Sequence, residues 1–182
     1  MLRRVIEGSV ILVALGIAAA LGAARLWQEP GEGFYWRAAA LARMSQDAGP
    51  VDFSALQRRE RPNDTLVCPE SLCQKAKSDL VAPVFPVPAA ELRRKVSLVV
   101  MSEPNSAELS CADDCGRTAR FVEYSALFEF PDTIDVRVVD AGANASTLAI
   151  YSRSVFGYWD FGVNSDRAAR WLAALKRITP QR

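Results

Sequence analysis

The chain has 182 residues, of which 50% are hydrophobic, and its formal net charge is +1. This length allows one globular domain with attached segments, and the near-zero net charge removes the electrostatic argument for a nucleic-acid partner. The sequence contains no histidine, which excludes histidine-dependent catalytic triads and histidine-ligated zinc sites.

The first 28 residues are predicted to form a membrane anchor. Gly8–Ala24 carries no charged residue, and a helix of this length reaches roughly 25 Å, near the short limit for crossing a bilayer. Arg3 and Arg4 favour a cytoplasmic N-terminus. We therefore expect a single-pass protein of the bacterial inner membrane, in contact with the lipid bilayer, with its C-terminal domain in the periplasm. A cleaved signal peptide is the alternative, because residues 22–24 offer small side chains at a usable cleavage site.

Small residues recur at Ala14, Ala18 and Gly22, a spacing that lets two membrane helices approach closely. This stripe predicts contact with a membrane protein complex through the transmembrane helix, although alanine and glycine are also common in apolar segments generally. Residues 29–60 are predicted to form a juxtamembrane helix and a connector. The aromatic residues 34–36 either lie at the lipid headgroups or pack on the domain that follows.

Residues 61–182 are predicted to form the periplasmic domain. The segment 62–88 holds five prolines, too many for regular structure. Residues 89–101 have helical spacing, with Leu92 and Val96 on the apolar stripe. Alternating patterns predict strands at 107–111, 120–130, 134–138 and 148–152. Asn164 is predicted to be the N-cap of a last helix, which has Lys176 and Arg177 in its last turn.

These elements predict an α+β fold: an N-terminal transmembrane helix followed by a two-layer domain. In that domain a four-stranded antiparallel sheet carries two helices on one face. Short turns between the strands suggest a meander whose other face is in solvent.

The four cysteines form two close pairs, Cys68 with Cys73 and Cys111 with Cys115. In an oxidising compartment this pattern predicts two disulfides, and three pairings are open. A four-cysteine metal site is the alternative, but its spacings are looser than the usual two-residue knuckle, and export disfavours free thiolates. We therefore expect neither a metal nor a cofactor.

The densest group of charged and aromatic residues lies where the last strand meets the last helix. One interpretation is a structural lock, in which an Arg153–Asp160 ion pair satisfies both charges. The other is a site for a small anionic or polar ligand, or for a partner loop. That site would be built from Arg153, Tyr158, Asp160, Asn164 and Arg167.

Three segments carry a resemblance to a known family. They are Arg-Pro-Asn-Asp at 61–64, the strand from Phe121 to Pro131, and the stretch from Ile150 through Gly-Val-Asn-Ser-Asp-Arg at 162–167. From about Arg61 to Leu175 the chain resembles the bacterial domain-of-unknown-function family 1499. The resemblance implies an exported or membrane-tethered domain without an assigned reaction, so it supplies no catalytic residue. The positions that resemble its signature are Ser152, Arg153, Ser154, Gly157, Asp160, Gly162, Asn164 and Arg167.

Together these observations predict a non-enzymatic inner-membrane protein whose periplasmic domain binds or steadies another component of an envelope or membrane complex. The absence of a recognisable catalytic constellation motivates this expectation. The alternative is a periplasmic small-ligand module or enzyme that uses the corner of Arg153, Asp160 and Asn164.

Overall fold

The computed structural model describes residues 47–109, 114–126 and 130–179. Within them, strand β1 spans Asp64–Val67, helix α1 Ala89–Met101, strand β2 Ser106–Leu109 and strand β3 Thr118–Tyr124. Strand β4 spans Pro131–Asp140, strand β5 Ser146–Ser154 and helix α2 Val163–Ile178. The sheet order is β1-β5-β4-β3-β2, and every neighbouring pair is antiparallel.

The predicted four-stranded sheet is wrong, because the sheet has five strands. The additional strand, β1, lies inside the proline-rich segment. It is only four residues long and lies between prolines, so its sequence shows no clear alternating pattern. It forms because Asp64–Val67 pairs residue by residue with Ile150–Arg153 of β5. A contact with a strand so distant in the sequence leaves no local signal.

The predicted fold class also included a transmembrane helix. Helices α1 and α2 contain 13 and 16 residues, and a bilayer requires about 20 apolar residues. In the described part of the chain, neither helix is long and apolar enough to cross a membrane. For the described residues, the corrected fold class is an α+β domain with a five-stranded antiparallel sheet and two helices. The segment 1–28, including Ala14, Ala18 and Gly22, lies outside the described residues.

The main core lies between the sheet and the two helices. Alternate residues of the strands, such as Ile134 and Ile150, point toward the apolar stripes of α1 and α2. Phe121 and Trp171 meet edge to face there, with ring centroids 6.0 Å apart. Because the period of a strand is two, the residues between them point to the opposite face.

The opposite face is not simply solvated, contrary to the sequence prediction. A second apolar cluster covers it near β1 and β5 and includes Phe53, Leu56, Leu66 and Tyr151. Phe53 and Leu56 belong to the segment predicted as a connector, yet both are buried. Residues 47–60 therefore pack on the sheet as part of the same compact unit.

Candidate functional site

Residues 155–162 connect the end of β5 to the start of α2, and we call this segment the corner. The backbone at Gly157, Phe161 and Gly162 has φ of 88°, 55° and 85°. Glycine adopts such values without cost, whereas phenylalanine rarely does. The chain therefore turns sharply here, and the fold holds Phe161 in an unusual conformation.

Asp160 closes the corner onto the helix. Its carboxylate accepts hydrogen bonds from the backbone N–H groups of Gly162 and Asn164, both at 3.0 Å. These are N–H groups that a helix start leaves without intrahelical partners. The predicted N-cap role of Asn164 is therefore wrong: Gly162 is the N-cap residue, and the Asp160 carboxylate satisfies the free donors.

The Asn164 side chain points inward and is fully buried. The two hydrogens of its amide nitrogen are shared among three acceptors: the backbone oxygen of Asn63 at 3.1 Å, Ser154 Oγ at 3.0 Å and Asp160 Oδ2 at 2.8 Å. Its oxygen accepts from Ser152 Oγ at 2.6 Å and from Arg167 Nη1 at 2.7 Å. Asn164 thus joins the end of β5, the start of α2 and the residue before β1.

Arg167 extends this network under the helix, and its side chain is 2% exposed. It forms ion pairs with Asp132 at 2.7 Å and with Glu123 at 3.0 Å. Burial acts to lower the pKa of Arg167, but the charges of Asp132 and Glu123 outweigh it and raise the pKa above its usual value. Arg167 is therefore a charged residue whose partners lie inside the domain.

Arg153 lies on the other face of the sheet. Because it falls between Ser152 and Ser154, which face the helices, the pleat directs it away from Asn164. It pairs with Asp135 at 3.0 Å, and its guanidinium carbon lies 5.2 Å from the centre of the Tyr151 ring. It also donates to the backbone oxygen of Gly49.

The five predicted site residues consequently do not converge on one cavity. Asn164, Asp160 and Arg167 belong to the network on the helix face, whereas Arg153 belongs to a network on the opposite face. The expected Arg153–Asp160 ion pair is replaced by Arg153–Asp135. Tyr158 is 65% exposed at the tip of the corner. In the described part of the chain, their polar groups are mostly used to hold the domain together.

What the corner does present to solvent is aromatic. Four residues of the corner are exposed, Phe156, Tyr158, Trp159 and Phe161, and so is Phe130, which immediately precedes β4 and lies beside Phe156. The Trp159 and Phe161 rings stack with centroids 6.1 Å apart, and Phe130 and Phe156 are 6.0 Å apart. We call these five residues the aromatic corner. The density of aromatic residues was visible in the sequence, but only the structure shows that they point outward.

The cysteines bear out the structural interpretation in part. Cys68 and Cys73 form a disulfide with Cα atoms 6.0 Å apart, which decides among the pairings that the sequence left open. Cys115 is also disulfide-bonded, and Cys111 lies outside the described residues. The described residues contain no group of acidic and cysteine side chains arranged to hold a metal ion.

A shallow groove of about 770 Å³ runs along the outer side of α1. Arg94, Leu98 and Met101 line it together with Cys115 and Gly116 of the loop before β3. None of the corner residues contributes to it, so it is separate from the aromatic corner.

Comparison with known families matches residues 50–175 to the family described as Protein of unknown function (DUF1499). The match covers more than half of the chain and includes the corner and the interacting side chains of both networks, so the chain belongs to this family. This confirms the resemblance seen in the sequence. No curated protein matches the chain.

Proposed function

We propose that this DUF1499 protein is a docking protein, in which the aromatic corner is the surface that contacts another component of the cell envelope. The single observation that carries the proposal is the contrast at the corner. Its one charged side chain, Asp160, is hydrogen-bonded to the helix start, while Phe161 is 89% exposed and Trp159 is 64% exposed. Exposed aromatic rings grouped on one surface mark an interaction site more often than isolated ones do.

The rigidity of the corner supports this role. The Asn63 amide donates to the backbone oxygen of Gly157 at 2.8 Å, and Ser154 N–H donates to the backbone oxygen of Asn63 at 2.9 Å. At the other end of the turn, the Asp160 carboxylate accepts hydrogen bonds from the backbone N–H groups of Gly162 and Asn164. A surface that is fixed before binding loses little conformational entropy when it meets its partner.

The disulfides support an exported location, because such bonds form and persist in oxidising compartments. The proposal therefore places the domain in the periplasm of a protein held at the inner membrane, with its N-terminus in the cytoplasm. A role as an accessory subunit, assembled through Ala14, Ala18 and Gly22, remains a prediction about residues outside the described part.

The test places a photo-crosslinking amino acid at position 158 of the full chain in cell membranes, and compares the crosslinks of the wild type with those of a Phe161→Asn variant. Asparagine tolerates the positive φ of this position better than phenylalanine, so the variant should fold. The matched control is Val81→Asn, since Val81 is 88% exposed but lies in the proline-rich segment. We expect position 158 to crosslink to a component of the membrane in the wild type and the control, and to lose that crosslink in Phe161→Asn. A crosslink that survives in Phe161→Asn would contradict the proposal.

A further inference from the structure

Resting on the proposed function, we infer that the component met by the aromatic corner is a lipid bilayer, whose interfacial layer receives the rings of Trp159 and Phe161. Tryptophan and tyrosine concentrate at the level of the lipid headgroups, where an apolar ring and a polar edge are both satisfied. Phenylalanine contributes apolar area at the same depth.

The charge distribution of the corner fits a bilayer. Asp160 is the one acidic residue between residues 155 and 163. Its carboxylate accepts hydrogen bonds from the backbone N–H groups of Gly162 and Asn164 and from the side-chain amide of Asn164. Residues 155–163 therefore present no free carboxylate to the lipid, and a free carboxylate would oppose insertion.

Basic residues lie in the loop that contacts the corner. Arg59 and Arg61 are exposed, and they precede Asn63, whose side chain donates a hydrogen bond to the backbone oxygen of Gly157. Glu60 lies between them and is also exposed, so residues 59–61 carry one net positive charge. Exposed arginines bind lipid phosphates, and this attraction is stronger when the lipid is anionic.

The shape of the corner favours lipid over a protein partner. Phe161 and Trp159 stack on each other at the tip, and Phe161 is almost wholly exposed, so the corner is a protrusion. A protein partner would need a matching pocket, whereas the interfacial layer of a bilayer adapts to a protrusion.

The test uses the full chain reconstituted in vesicles of phosphatidylethanolamine and phosphatidylglycerol, with and without brominated acyl chains that quench tryptophan. The chain has four tryptophans, so the contribution of Trp159 is taken as the difference between wild type and Trp159→Phe. Trp171 is 1% exposed and should not respond. We expect the Trp159 difference signal to be quenched by bromolipid and blue-shifted on binding.

Two variants sharpen the result. Phe161→Asp places a charge at the tip and should abolish the quenching of the Trp159 signal, whereas Val81→Asp should leave it unchanged. Near-ultraviolet circular dichroism checks that each variant is folded, and Phe161→Asn replaces Phe161→Asp if the charge prevents folding. Quenching that is equal in Val81→Asp and Phe161→Asp would overturn the inference.

A second measurement separates this inference from the proposed function. A photo-crosslinking amino acid at position 158 reports what lies next to the corner in cell membranes. An unquenched Trp159 together with a specific protein crosslink overturns the lipid assignment and leaves the docking function standing. An unquenched Trp159 without any crosslink overturns both.

Discussion

Replacing Asn164 with alanine should be one of the most damaging single changes in the domain. The side chain has five hydrogen-bond partners and is completely buried. Its oxygen accepts two bonds, and the two hydrogens of its nitrogen are shared among three acceptors, so it makes at most four full bonds. The bonds with Asp160 and Arg167 involve charged groups and are worth about 1.5–3 kcal/mol each, and the two neutral ones are worth about 1 kcal/mol each. The gross sum of roughly 5–8 kcal/mol is an upper bound.

Several partners keep other bonds when Asn164 is lost. Arg167 still donates to Ser152 Oγ at 2.9 Å, and the backbone oxygen of Asn63 still accepts from Ser154 N–H. The Asp160 carboxylate still accepts a hydrogen bond from the backbone N–H of residue 164. Alanine also favours the helix by about 0.5 kcal/mol. We therefore expect Asn164→Ala to lower the free energy of unfolding by roughly 3–4 kcal/mol, out of the 5–15 kcal/mol typical of a domain.

The assay is urea unfolding of the full chain followed by tryptophan fluorescence, to which Trp171, buried beside Phe121, contributes the signal of the core. Asn144→Ala is the matched control, because Asn144 is exposed in the turn between β4 and β5. It should change stability by no more than about 0.5 kcal/mol. A loss below about 1 kcal/mol in Asn164→Ala would show that the network contributes little, and the argument for a rigid corner would fail with it.

Three further predictions concern the parts of the domain around the corner. Replacing Cys68 and Cys73 with serine removes a disulfide between residues five positions apart. The loss of this loop constraint should lower the free energy of unfolding by about 2 kcal/mol. Equal urea midpoints with and without the bond would contradict this. Arg167→Leu leaves Asp132 buried without its cation and should cost about 3–5 kcal/mol in the same assay, so a variant as stable as wild type would exclude a structural role. Burial raises the pKa of the Tyr151 phenol, and its bond to a buried carboxylate raises it further. Because the folded state holds this proton more tightly than the unfolded chain, the associated stability is present below pH of about 10 and is lost as the pH rises further. Tyr151→Phe should therefore show a smaller loss of stability at alkaline pH than wild type, and parallel pH curves would refute the assignment.

Much of the secondary structure was predictable because its signals are local. The helical stripe of residues 89–101 corresponds to α1, and the alternating residues around Ile134 and Ile150 correspond to β4 and β5. The bond between Cys68 and Cys73 also joins close neighbours in the sequence. Strand β1 was missed because its pattern is only four residues long and its stability comes from pairing with β5.

The candidate site was predictable in its location but not in its arrangement. The sequence placed Arg153 and Asp160 near one another along the chain and suggested an ion pair between them. The pleat of β5 sends Arg153 to the opposite face, where Asp135 is its partner. Which face a charged residue takes at the end of a strand depends on register, and one residue of shift reverses it.

The sequence by itself determined the family, the helical and strand segments with strong periodicity, and the density of aromatic residues at the corner. These properties follow from residues that are neighbours in the chain. The tertiary structure alone decided that Asn164 meets Asn63 across a separation of 101 residues, that Arg167 finds Asp132, and that the aromatic rings point outward. Those contacts arise only when the strands pair and the helix packs on them, because each depends on groups that no local pattern brings together.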